Sequence, residues 1–145
     1  VTVNAPAADV WARVVTPEGI NHEMRPVMTM TLPRKARGIT IDSIRVGQPV
    51  GRALLRLGGL IPFDYDDLVV VELEPGRRFR EESTMLSMRA WVHDRTVEPA
   101  GERTVVTDRI GFEPRLPLRL AGPLLKGVLQ AFFAHRHRRL RRYFG

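Results

Sequence analysis

The chain has 145 residues, 43% of them hydrophobic, and a formal net charge of +7; one core and one domain over residues 1–145 are expected from that length. It contains no cysteine, which excludes a disulfide framework, a thiolate metal site and a cysteine nucleophile. No apolar run reaches the roughly 18 residues of a membrane span, and VTVNAPAADV lacks the charged-then-apolar build of a signal peptide, so a cytoplasmic protein is the expectation. The chain opens on Val1 rather than methionine, which leaves room for upstream residues and any targeting signal they carry.

The first element is a short strand, Val1 to Val3, interrupted by NAP. Val10, Trp11, Val14 and Val15 then recur at the spacing of a helix face, with Pro6 in a first turn where its missing N–H costs nothing. TPEG (16–19) ends that helix and opens a second, Thr16 as cap and Pro17 at the first helical position. From Val27 the pattern is β-like: VMTMTL (27–32), LVVVEL (68–73), RFREEST (78–84), RAWVHDRTV (89–97) and RTVVTDRIGF (103–112), with turns at EPGR (74–77) and EPAGE (98–102). Between Arg34 and Pro62 the pattern is ambiguous. ITIDSI suits strand or helix, and VGRALLRLGGLIP is apolar enough for a strand but is interrupted by glycine and proline. IPFDYDD reads as a turn beside that apolar stretch, with Asp64 and Tyr65 at the rim of a cavity.

After FEPRLP a helical period runs from about Leu118 to Phe144. At about 100° per residue, with Phe132 at zero, Ala121, Leu125, Val128, Leu129, Phe133 and Tyr143 fall between about −40° and +100°, one apolar arc. Strand, two helices, antiparallel strands and one long helix make an α+β plan in which a curved sheet wraps the terminal helix. Such a helix-grip arrangement leaves a cavity between the two, the natural place for a ligand.

VNAPAADVWARVVTPEG resembles the opening of the Bet v 1-like, START-related superfamily, which includes polyketide cyclases and lipid-transfer domains. MRAWVHDRTVEP, VVTDRIGFEPRLP and FFAHRHRRL resemble a bacterial ligand-binding or cyclase-like branch of it, in the same order along nearly the whole chain. The resemblance implies a hydrophobic cavity and a small apolar or amphipathic ligand, with no shared catalytic signature; fold does not settle function.

The hairpin at EPAGE carries the sharpest local expectation. If Val97 faces Thr104, then Arg95 faces Val106, His93 faces Asp108, Trp91 faces Ile110 and Arg89 faces Phe112. Period-two alternation then puts Trp91, Val97, Val106, Ile110 and Phe112 on the buried face together with His93 and Asp108. The preceding hairpin brings Phe79, Glu81 and Ser83 to that face, with Glu81 beside His93. A carboxylate, an imidazole and a second carboxylate across three strands suit proton abstraction next to a carbonyl; as a structural arrangement they form a satisfied cross-strand contact. A one-residue slip would turn His93 outward. Phe79, Trp91, Ile110, Phe112, Leu125, Leu129, Phe132 and Phe133 are the expected cavity lining, with Arg136, inside the apolar arc, meeting a carboxylate from the sheet or the polar end of a ligand. Trp11 is expected in the core.

The terminal HRHRRLRR invites two other readings. His135 and His137 lie about 200° apart on a helix, so they cannot chelate one ion from one face, and neither a metal nor a cofactor is implied. No phosphate-binding glycine loop or Gly-x-Ser-x-Gly elbow is present. The basic residues, 21 arginines and 2 lysines, are scattered, and those of the terminal helix point in nearly every direction, with Arg136 and Arg139 on the inner side. A nucleic-acid or anionic-membrane module is therefore the weakest of three readings. The first is a carrier of a small hydrophobic or amphipathic molecule. The second is a cyclase- or aromatase-type enzyme with His93 as base.

Overall fold

The computed structural model describes residues 1–38 and 41–145. In chain order the elements are β1 (Thr2–Val3), α1 (Ala7–Val14), α2 (Pro17–Met24), β2 (Met28–Thr31), β3 (Pro49–Leu57), β4 (Ile61–Glu74), β5 (Arg78–Met85), β6 (Met88–Ala100), β7 (Arg103–Pro114) and α3 (Gly122–Phe144). Short 3₁₀ turns stand at Arg34–Ala36, Ile41–Ser43 and Leu118–Ala121. The strands form one antiparallel, curved sheet in the order β1-β7-β6-β5-β4-β3-β2, and α3 crosses its concave face: a helix-grip fold.

The N-terminal helices are joined tightly. Thr16 caps α2 by accepting a hydrogen bond from the Gly19 N–H at 3.0 Å and donates its hydroxyl to the Arg13 carbonyl at 2.8 Å. A Cβ on Gly19 would lie 1.8 Å from that same carbonyl oxygen, so only glycine lets the two helices meet at this angle. The dry core gathers where α1, the far end of α3 and the β6–β7 hairpin converge: Val3, Val10, Trp11, Val14, Val97, Val106 and Leu140. A second cluster, Leu55, Met85 and Met88, lies under Trp91 and Phe112. Between them the sheet and helix stand apart.

Four sequence expectations change. The apolar stretch from Val50 to Pro62 is a hairpin of β3 and β4, its glycines serving the strands instead of breaking them. Gly58 and Gly59 turn the chain at φ +61° and +76°, a region open mainly to glycine, and Gly51 sits at a register shift. IPFDYDD is consequently the start of β4, not a turn, so its residues alternate between faces: Asp64 and Asp66 are buried, while Tyr65 lies on the other face beneath the Arg52 guanidinium. Of ITIDSI, Ile39 and Thr40 lie outside the described residues and Ile41–Ser43 is a 3₁₀ turn.

The third change is the β6–β7 register. Ala100 pairs with Arg103, Val97 with Val106, Arg95 with Asp108, His93 with Ile110 and Trp91 with Phe112, two residues from the expected pairing. The strands run on to a two-residue turn opened by Gly101 at φ +66°, the tightest hairpin available and shorter than the loop that EPAGE suggests. Because the offset is even, each side chain keeps its face.

The terminal helix also buries a narrower stripe than its apolar arc. Phe133, Arg136 and Leu140 are buried, while Val128 and Tyr143 are exposed. Tyr143 packs on His22 and Arg13 instead of entering the core.

Candidate functional site

Period-two alternation on three neighbouring strands aims one row of side chains at α3: Asp64, Asp66, Leu68 and Val70 from β4, Phe79, Glu81 and Met85 from β5, Trp91, His93 and Arg95 from β6. With Ile20 and Met24 of α2, Met28 and Met30 of β2, and Leu125, Leu129, Phe132, Phe133 and Arg136 of α3, they enclose a cavity of about 880 Å³. This is within the usual size of a small-molecule site, and its lining is mostly apolar, as such sites are. Two polar clusters interrupt it.

The first is built on Arg95, whose side chain is 0% exposed. Its Nη1 and Nη2 donate to the two carboxylate oxygens of Glu23, both at 2.8 Å. Its Nε and Nη2 donate to Asp108 at 2.7 and 2.9 Å. Arg136 donates to Glu23 through Nε at 3.1 Å. Asp108 accepts two further bonds, from Nε2 of His93 at 2.7 Å and Nε2 of His137 at 2.6 Å. Two guanidinium groups thus face two carboxylates, the condition under which buried charge is tolerated. Burial pushes the Asp108 and Glu23 carboxyls toward higher pKa, but the adjoining arginines outweigh it: Glu23 lies below the ordinary value and Asp108 well below. For His93, burial lowers the pKa and outweighs the hydrogen bond to Asp108. Its imidazole is neutral at pH 7, and Asp108 fixes the proton on Nε2, leaving Nδ1 as the basic nitrogen.

The second cluster is acidic. Glu81 stands opposite His93 in the sheet, with an oxygen 3.9 Å from Nδ1, and accepts a hydrogen bond from the Ser83 hydroxyl at 2.9 Å. Asp66 hydrogen-bonds to Glu81 and lies close to Ser83. Burial, and then the neighbouring Asp66 charge, raise the Glu81 pKa well above the usual carboxylate range, and burial raises that of Asp66. Asp64, two residues along, is occupied: Ser87 donates both its hydroxyl and its N–H to it, as does the Tyr65 N–H.

The expected residues divide as follows. Phe79, Trp91, Leu125, Leu129, Phe132, Phe133 and Arg136 line the cavity, and so do Glu81 and His93. Ile110 and Phe112 do not line it: β7 lies one strand further from its centre, and Phe112 packs on the cluster around Met85 and Met88. Asp108 is not a lining residue either. It stands behind His93, opposite Arg95 and not opposite His93, so the expected in-line row of Glu81, His93 and Asp108 bends at the imidazole. Arg136 meets a carboxylate, but from helix α2 instead of the sheet. His135 donates from Nε2 to the Arg25 backbone carbonyl and His137 donates to Asp108; no group of metal-ligating side chains occurs among the described residues.

Three polar residues escaped the sequence reading. Arg95 shares period two with His93 and Val97 and was legible as inward. Glu23 follows Gly19 and Ile20 at helical spacing, beside Met24, a signal of the buried face of α2. Asp66 became legible only once β4 was extended back through IPFDYDD.

The fold and site define a helix-grip protein with a mostly apolar cavity between sheet and helix. The chain belongs to the family described as Domain of unknown function (DUF8410), whose model matches residues 1–144. It is similar in structure to a START superfamily protein from Mycobacterium smegmatis, with TM-score 0.71 and 14% identity over 99% of this chain and 92% of that one. A protein from Chromobacterium violaceum matches with TM-score 0.69 and 13% identity over 99% and 94%. DynU16, a protein of the dynemicin biosynthetic locus, matches with TM-score 0.62 and 21% identity over 99% of this chain, which spans 44% of that longer chain. At these identities the likeness is one of fold. No curated protein matches the sequence. Among the described residues no helix is long and apolar enough to cross a membrane.

Proposed function

We propose that the chain binds a small apolar or amphipathic molecule between its curved sheet and terminal helix, as a carrier or binding protein. The observation that carries this reading is the cavity of about 880 Å³, apolar over most of its wall, with polar groups converging at two places. Apolar burial, at about 25 cal/mol per Å², supplies affinity, and the polar groups set orientation. The START superfamily relative and the biosynthetic-locus relative support the same reading by fold. Titration with the neutral fluorophore Nile red tests it: saturable one-to-one binding, weakened at least about tenfold by Val70→Trp, which fills the cavity wall, is expected. Absence of saturable binding, together with no small molecule in the mass spectrum of the purified protein, would remove the reading.

One observation favours a second reading, a cyclase- or aromatase-type enzyme in the same cavity. His93 presents Nδ1 3.9 Å from an oxygen of Glu81, and burial lowers the imidazole pKa and raises that of the carboxyl, the directions in which a general base and a general acid are tuned. On this reading His93→Ala abolishes turnover of a polyketide-like substrate while Nile red binding persists. Turnover unchanged in that variant takes His93 out of the chemistry.

A further inference from the structure

Resting on the reading of the cavity as a ligand site, we infer that its occupant is a cationic amphiphile, an apolar body with a protonated amine seated against Asp66 and Glu81. Asp66 is 6% exposed and lines the cavity, and its Oδ1 has no hydrogen-bond partner among the described residues. A buried carboxylate oxygen left in this state costs stability unless something supplies a donor. None of the described residues supplies one to Oδ1, and the neighbours of this carboxyl are Glu81 and Ser83. Of the three guanidinium groups of the lining, Arg95 and Arg136 form their ion pairs with Glu23 and Asp108, and Arg138 is exposed on α3. The Ser83 hydroxyl donates to Glu81, and the Nε2 proton of His93 is committed to Asp108.

Charge counting separates the ligand classes. The Arg95 cluster is neutral, two cations against two anions, so it attracts no ionic head group. Asp66 and Glu81 lie in hydrogen-bonding contact with each other, and among the described residues no guanidinium forms an ion pair with either. A fatty acid would bring a third carboxylate to the pair. An alcohol would satisfy one oxygen and leave the pair without a cation. An ammonium group brings three donors and the missing cation, and hydrogen bonds between charged partners are the strong ones. The remainder of the wall, including Leu68, Met85 and Trp91, takes the apolar body.

The test is displacement of Nile red by three chains of equal length: dodecylamine, dodecanol and dodecanoate. Dodecylamine is expected to bind at least about tenfold more tightly than dodecanoate. This preference opposes the net charge of +7, which by itself favours the anion, so it reports the local site. Asp66→Asn is expected to remove at least about tenfold of amine affinity while leaving dodecanol within about twofold, and Glu81→Gln to act in the same direction; unchanged circular dichroism certifies the fold of each. Dodecanoate binding as tightly as dodecylamine, or an amine-to-alcohol ratio unaltered in both variants, would overturn the inference while Nile red binding leaves the cavity reading intact. Failure of Nile red and all three chains would overturn both.

Discussion

The two polar clusters of the cavity share one sheet and a similar depth, yet differ in how their charges are met. Around Arg95 every carboxylate has a guanidinium against it, drawn from four elements: Glu23 on α2, Arg95 and Asp108 on β6 and β7, Arg136 on α3. Around Asp66 the carboxyls have each other, a serine and one unpartnered oxygen. The first cluster ties both helices to the sheet. The second does nothing comparable for the fold, and polar groups kept where they do not stabilise are candidates for function.

The largest expected effect comes from breaking the balanced cluster. Arg95→Met leaves Glu23 with Arg136 alone and Asp108 with no guanidinium, and should cost about 3–5 kcal/mol, read from urea unfolding at pH 7; a loss below about 1 kcal/mol would show that the ion pairs do not tie the helices down.

Acid separates the clusters next. Glu23 and Asp108 have folded-state pKa values below their unfolded ones, so the stability they confer is present above the unfolded values, near pH 4, and is lost as the pH falls through the folded values. Glu81 and Asp66 are raised. Their contribution is fully present below the unfolded values and is lost as the pH rises through the folded ones, so at neutral pH they weaken the fold. Glu81→Gln should therefore stabilise by about 1 kcal/mol at pH 7, a gain that vanishes near pH 4. A gain independent of pH would mean that Glu81 does not titrate in this way.

The smallest effect is indirect. Thr16→Ala removes the cap of α2, the helix that presents Glu23, and should cost about 0.5–1 kcal/mol in thermal or urea unfolding. Nile red affinity is expected within about twofold of the parent, because the cap touches no lining residue of the acidic pair; a larger change would tie the first turn of α2 to the ligand.

Much of the molecule was legible residue by residue. The element order followed from local signals: Thr16 and Pro17 announce α2, period-two runs announce the strands, and the apolar arc announces α3. His93 and Asp108 were readable as inward residues even with the hairpin paired two residues out, because side-chain direction depends only on whether the offset is odd or even. The same hairpin shows the limit. Turn length sets which residues stand opposite, and an offset of two puts Arg95 opposite Asp108 while His93 still reaches that carboxylate at 2.7 Å.

What the sequence by itself determined, then, was what each stretch becomes and which face each residue takes, since both follow from steric preferences a few residues wide. What only the tertiary structure decided was pairing across distance. Glu23 and Arg95 are 72 positions apart, and Glu23 and Arg136 are 113; which buried charges cancel, and which one is left over at Asp66, depends on the packing of α2 and α3 against β4 to β7. Coulomb attraction falls with distance and grows with burial, and neither is written in the local pattern.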